Sequence, residues 1–282
     1  MRVFAFLSFA PTKKGLLLIG GFLTDLRSCT LFLSCIVIIQ DTIEVRRPTL
    51  EATLKGRQAT TNHARVVEQL GRDIVSGRFD TGALLPGDAE LAQRFHVSRT
   101  VLREALKTLD AKGLISPRVR IGTSIRARAE WNHFDPEVLL WYIETGVDAR
   151  LLSQLAVIRL AFEPVAAGLA ARNATDAEIT TINQNVSSLL SGTLSAEDAV
   201  AAMLSIHTAV TEASANVFLQ SARALLKAAL IGHFRYDPAF AEHMCREAGD
   251  NYRALVTALL ERNEDAASSA MTTIVHAAGA PA

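Results

Sequence analysis

From Asn62 onward the apolar residues of the chain fall into helical register. In "NHARVVEQLGRDIVSG" Val66, Leu70 and Ile74 recur four apart with Val67 beside them, which predicts an amphipathic helix ending near Gly77. Pro86 and Gly87 then break the chain, and Asp88 is placed to start a second helix whose inner face is Leu91, Ala92 and Phe95. Ser98 is an N-cap residue for a third, "RTVLREALKTLDAKG", with Val101, Leu102, Ala105, Leu106 and Leu109 on its apolar side and Gly113 at its end. "LISPRVRIGTSIRA" adds two short β-prone runs around an Arg-rich, Gly-containing tip. Three short helices followed by a hairpin is the order of a winged helix-turn-helix.

The rest of the chain has helical period throughout and no strand alternation. "AEWNHFDPEVLLWYIETG" starts a short helix at Pro136 that presents Val138, Leu139, Trp141 and Tyr142, the tryptophans packing between domains. "DARLLSQLAVIRLAFEPVAAGLAARNATDAEITTINQNVSSLL" predicts a helical pair divided near Asn173, and two further blocks complete an all-helical bundle of six or seven helices. The expected fold is mainly α. Its divisions are a leader and linker at 1–60, a winged helix-turn-helix at 61–128, a linker helix at 129–147 and a helical sensing domain at 148–279.

Residues 1–40 are hydrophobic but interrupted by Pro11, Lys13, Lys14, Asp25 and Arg27, so no run reaches the ~20 apolar residues of a membrane span. Either translation starts downstream, or the leader tethers the protein to a membrane or exports it; the first is preferred, with a cytoplasmic protein and no membrane partner. Three cysteines, Cys29, Cys35 and Cys245, form no zinc or disulfide pattern and suit a reducing compartment.

Charge sharpens this division. The zero net charge conceals 12 Lys/Arg against 7 Asp/Glu over residues 61–128 and 9 against 18 over residues 129–282. A basic module joined to an acidic one suggests that the first meets a polyanion. On a recognition helix in the major groove, Arg99 and Arg103 lie one turn apart on one face, while Ser98 and Thr100 sit where hydroxyls and N–H groups hold a phosphate. Arg118 and Arg120 at the hairpin tip reach an adjacent backbone or minor groove.

The segment from Asn62 to Arg128 resembles the DNA-binding domain of the GntR family of bacterial transcription regulators. The residues that carry the resemblance are Leu85–Pro86, Leu91–Ala92, Phe95, Val97–Ser98–Arg99–Thr100, Arg103–Glu104–Ala105–Leu106, Leu109, Gly113–Leu114–Ile115 and Gly122–Thr123. Gly87 and Asp88 depart from the family's serine and glutamate, implying a modest stability cost. Arg159-x-x-Phe162-Glu163-Pro164 and Ile206–His207 followed by "TAVTEASAN" resemble the FCD effector domain of the FadR branch, nearest its galactonate-operon, sugar-acid-sensing kind.

The resemblance implies a homodimeric repressor of double-stranded operator DNA that responds to a small carboxylate effector. It assigns DNA contacts to Ser98, Arg99, Thr100, Arg103, Arg118, Arg120 and Thr123, and effector contacts to Arg159 and His207. It also implies a divalent metal held by an aspartate one turn before a histidine and by two later histidines. Here His207 matches, but Met203, Tyr252 and Ile274 occupy the other positions, a poor donor set, with His243 and His276 as substitutes only under a shifted alignment. No cofactor is therefore expected. Arg159, on a helix otherwise apolar at Leu155, Ile158, Phe162 and Val165, needs a partner: Glu163 one turn on, or an effector carboxylate. An enzyme using His207 with a nearby acid is the alternative, but no nucleophile elbow, phosphate loop or HExxH sequence supports it.

Overall fold

The computed structural model describes residues 61–279, so the leader and linker over 1–60, with the questions of a downstream start and a membrane tether, lie outside the described residues. Eleven helices and one hairpin follow in order. The first group is α1 (Asn62–Val75), α2 (Asp88–Phe95), α3 (Arg99–Ala111), β1 (Ile115–Arg118) and β2 (Gly122–Ile125). One turn of 3-10 helix, Arg128–Glu130, leads to α4 (Pro136–Thr145). The bundle is α5 (Ala149–Asn173), α6 (Asp176–Leu189), α7 (Ala196–Ala213), the single-turn α8 (Val217–Gln220), α9 (Arg223–Tyr236), α10 (Phe240–Leu260) and α11 (Glu264–Ala278). The protein is mainly α, an N-terminal winged helix-turn-helix followed by an all-helical bundle.

Local chemistry sets the first elements. Thr61 caps α1 through its side chain, and Ser98 caps α3 by accepting from the Val101 N–H at 3.3 Å. Gly87 caps α2 without a side-chain bond, as the departure from serine implies. Gly113 turns the chain after α3 at φ +75, and a Cβ there would lie 2.5 Å from the Glu130 carbonyl oxygen. β1 and β2 pair antiparallel from Ile115↔Ile125 to Arg118↔Gly122. Leu84 bridges to Ser124, giving the hairpin a third edge.

Two apolar cores form. The first gathers Leu70, Ile74, Leu91, Phe95, Leu102 and Leu109, and it extends to Trp131, Val138 and Trp141. Trp141 of α4 lies against α1 so closely that a methyl group on Gly71 would collide with its ring. Lys112, at the end of α3, reaches Asp135 and Glu137 at 2.7 Å each and sits 5.9 Å over the Trp141 ring. Burial disfavours its ammonium, yet the two carboxylates outweigh that and hold its pKa above the ordinary lysine value. α4 is thus fastened to the end of α3 on one side, and on the other Arg235 of α9 donates to the Ile143 carbonyl at 2.8 Å. Both tryptophans belong to the first core and anchor the linker segment to the winged half, so the expected packing between domains is corrected to packing within that core.

The second core is built around α5, which lies along α11 and also meets α7, α9 and α10. Small residues, Ala166, Ala167, Gly168, Ala170 and Ala171, let α11 approach, and Ser268 Oγ donates to the Pro164 carbonyl at 2.6 Å. α5 is the described helix long and apolar enough to cross a membrane, but half of its apolar window is buried, as befits the central helix of a bundle. The stripe expected through Leu155, Ile158, Phe162 and Val165 needs correction. Ile158 and Val165 are exposed and Phe162 is half-buried, and the inward face instead runs Leu152, Leu155, Arg159, Glu163, Ala166 and Ala170. The two charged residues are inside because they partner each other there.

Candidate functional site

The first candidate surface is the N-terminal half of α3. Burying Leu102, Ala105, Leu106 and Leu109 turns the opposite face outward, so Ser98, Arg99, Thr100 and Arg103 are all exposed. Arg103 makes only a long contact to Asp88, 3.7 Å, and its side chain is 71% exposed, so it is free to swing toward a ligand. The neighbouring basic groups are committed differently. Arg65 donates to the Phe95 carbonyl at 2.8 Å, Arg126 pairs with Asp110 at 2.9 Å, and Lys107 pairs with Glu104 at 2.8 Å. The hairpin tip holds Arg118, Val119, Arg120 and Ile121, all exposed, with Arg120 in the left-handed region at φ +66. Thr123 sits back from the tip, half-buried, its carbonyl accepting from the Leu85 N–H at 2.8 Å.

The second candidate is a polar cluster inside the bundle. Arg159 and Glu163 are each 1% exposed and paired. The other Glu163 oxygen accepts from His207 Nδ1, and His207 Nε2 pairs with the Tyr252 hydroxyl at 3.1 Å. Four residues from three helices therefore form one chain of contacts. Burial opposes ionisation of Glu163, but the Arg159 charge and His207 outweigh it and hold the carboxyl down to about 2. Burial pushes the Tyr252 phenol well above its ordinary value, so it stays protonated.

The resemblance had made this a metal position, and the donors present do not fit one. His207 has both ring nitrogens engaged, while Met203, Tyr252 and Ile274 are fully buried without a carboxylate or imidazole among them. His276 is exposed and His243 is half-buried beside Arg246, so neither substitutes, and no group of three or more metal-ligating residues occurs among the described residues.

His233 was missed in the sequence. It lies on α9, buried and stacked on Phe240 with ring centroids 4.9 Å apart. Burial and then the Arg159 charge lower its pKa to about 4. Its only sequence signal was a histidine within the apolar run "ALIGHF".

Comparison with known proteins bears on both sites. The profile of bacterial regulatory proteins, gntR family, matches residues 62–125, and that of the FCD domain matches residues 154–277. The galactonate operon transcriptional repressor of Escherichia coli K12 is 30% identical over 211 residues, 75% of this chain and 92% of that protein. The chain belongs to the GntR family. This GntR-family regulator is also 31% identical over 212 residues to YieP, an uncharacterized HTH-type transcriptional regulator of Escherichia coli K12, covering 74% of this chain and 90% of the relative. A solved structure of Lar, described as controlling expression of the Listeria monocytogenes agr system, superposes with a TM-score of 0.50 at 19% identity, covering 77% of this chain and 96% of Lar, which speaks for the fold. Both domains expected from the sequence are therefore those of a transcription regulator of the FadR branch.

Proposed function

We propose that this regulator is a cytoplasmic repressor whose hold on operator DNA is released by a small monocarboxylic metabolite of the sugar-acid kind. α3 enters the major groove with Arg99 and Arg103 toward guanine edges or phosphates, Ser98 and Thr100 hold the backbone, and Arg118 and Arg120 extend the contact from the hairpin, with Thr123 behind them. Two copies of the chain place two such helices about one turn of DNA apart. The division at 61–128, 129–147 and 148–279 separates grip, connection and sensing. In the sensing part Arg159 receives the carboxylate, and His207 braces Glu163 against it.

One observation carries the sensing half: the Arg159 nitrogens Nη1 and Nη2 are buried and without a hydrogen-bond partner. A planar guanidinium presenting two such nitrogens suits a carboxylate. The galactonate relative supports a sugar acid as the class. His207, with both nitrogens committed, gives no support to an enzyme.

The test is a gel shift of the full chain on its own upstream DNA, with and without D-galactonate, D-gluconate and other sugar acids. A specific band that disappears with one acid is expected. Failure to form any specific band would overturn the DNA-binding half, and a specific band indifferent to every acid would overturn the sensing half.

A further inference from the structure

We infer that the Tyr252 hydroxyl and the Arg159 guanidinium take over the two tasks a divalent cation would perform in this bundle, so that its polar centre is complete without a metal and Tyr252 is the residue that closes it to one. Such a centre holds the bundle together whether or not Arg159 also meets an effector.

His207 is oriented as a metal-bound histidine is. Its Nδ1 meets the buried Glu163 carboxylate, the arrangement that fixes the tautomer and ring plane of a metal-ligating imidazole. Paired with Arg159, that carboxylate is ionised and can only accept, so Nδ1 carries the proton and Nε2 the lone pair. Facing Nε2 is the Tyr252 hydroxyl, 3.1 Å away, with the two rings at 86° to one another. The phenol donates its O–H to Nε2, and the lone pair that would ligate a cation is already taken by a proton.

The second task of a cation is to neutralise a buried carboxylate, and Arg159 does this for Glu163, both residues being almost wholly buried. The contacts Arg159–Glu163–His207–Tyr252 join α5, α7 and α10, as a metal drawing ligands from several helices would. Met203, one turn before His207 on α7 and fully buried, offers a soft thioether where a divalent zinc or manganese ion wants a carboxylate or imidazole. The thioether at 203 and the phenol at 252 therefore separate this centre from a metal site.

The test is titration of the full-length protein with cobalt(II), read by visible absorption and by melting temperature. Wild type should show no cobalt band that depends on His207 and no His207-dependent rise in melting temperature. Met203→Asp/Tyr252→His supplies a carboxylate one turn before His207 and an imidazole in place of the phenol. It should gain a visible band at one cobalt per chain and a raised melting temperature, both lost on adding His207→Gln. Tyr252→His alone, which brings no new charge into the core, should gain the same band at lower affinity and stands in if the double variant does not fold. Tyr252→Phe leaves Nε2 unpaired in the core and should melt below wild type. His207-dependent cobalt binding by wild type would overturn the closed centre, and a folded Tyr252→His variant that stays colourless would overturn Tyr252 as the residue that closes it. Tyr252→Phe melting at or above wild type would overturn the bracing role of the hydroxyl.

Discussion

Replacing Arg159 by methionine keeps most of the side chain's volume and removes the charge that Glu163 faces. Two routes give the magnitude. Breaking a buried ion pair by deleting one partner typically costs ~3–5 kcal/mol. Independently, the Glu163 carboxyl is held at about 2 rather than 4.5. At ~1.4 kcal/mol per pH unit that depression corresponds to about 3 kcal/mol of folding stability at neutral pH. Because the folded pKa is depressed, this contribution is complete above pH 4.5 and is lost as pH falls toward 2. Urea unfolding followed by circular dichroism should therefore show Arg159→Met destabilised by about 3 kcal/mol at pH 7, with the gap to wild type narrowing on acidification below 4.5. The double variant Arg159→Met/Glu163→Leu, which leaves no lone charge, should recover most of the loss. A single variant within ~1 kcal/mol of wild type at pH 7, or a double variant as unstable as the single, would refute the account of this pair.

Four further outcomes are expected. Gly71→Ala should lower stability by ~1–3 kcal/mol in thermal melts, because the collision with Trp141 exceeds the gain of about 1 kcal/mol from helix propensity, and adding Trp141→Leu should relieve it; a stabilised single variant would contradict the packing. Arg99→Ala should weaken operator binding by ~1–3 kcal/mol in a gel-shift titration at fixed salt, and unchanged affinity would remove Arg99 from base readout. Gly87→Ser should stabilise α2 by a few tenths of a kcal/mol by supplying its missing cap bond, read as a raised urea midpoint. Dialysis against EDTA should leave melting temperature and operator affinity unchanged, and a loss restored by zinc or manganese would show that the bundle holds a metal after all.

The DNA-binding half was legible because its signals are local. Val66, Leu70 and Ile74 announce one helix face, Ser98 caps the next helix from the adjacent residue, and Gly113 turns the chain where a side chain would strike Glu130. Burying the apolar face of α3 leaves Arg99 and Arg103 no direction but outward, so periodicity alone exposes the basic pair. The helical character of the bundle was equally plain from its period.

The buried polar cluster of the bundle was decided by tertiary structure. Arg159 and Glu163 were visible as neighbours one turn apart, but whether they faced water or core depended on which stripe of α5 met the other helices, and the apolar residues Ile158 and Val165 pointed to the wrong one. His207 and Tyr252 join the pair from 44 and 45 residues away along their respective contacts. Periodicity along one helix specifies which residues share a face; it carries no information about the charge waiting on the helix that packs against it. A buried charge is stable only when that distant partner is present, and chain folding alone brings the two together.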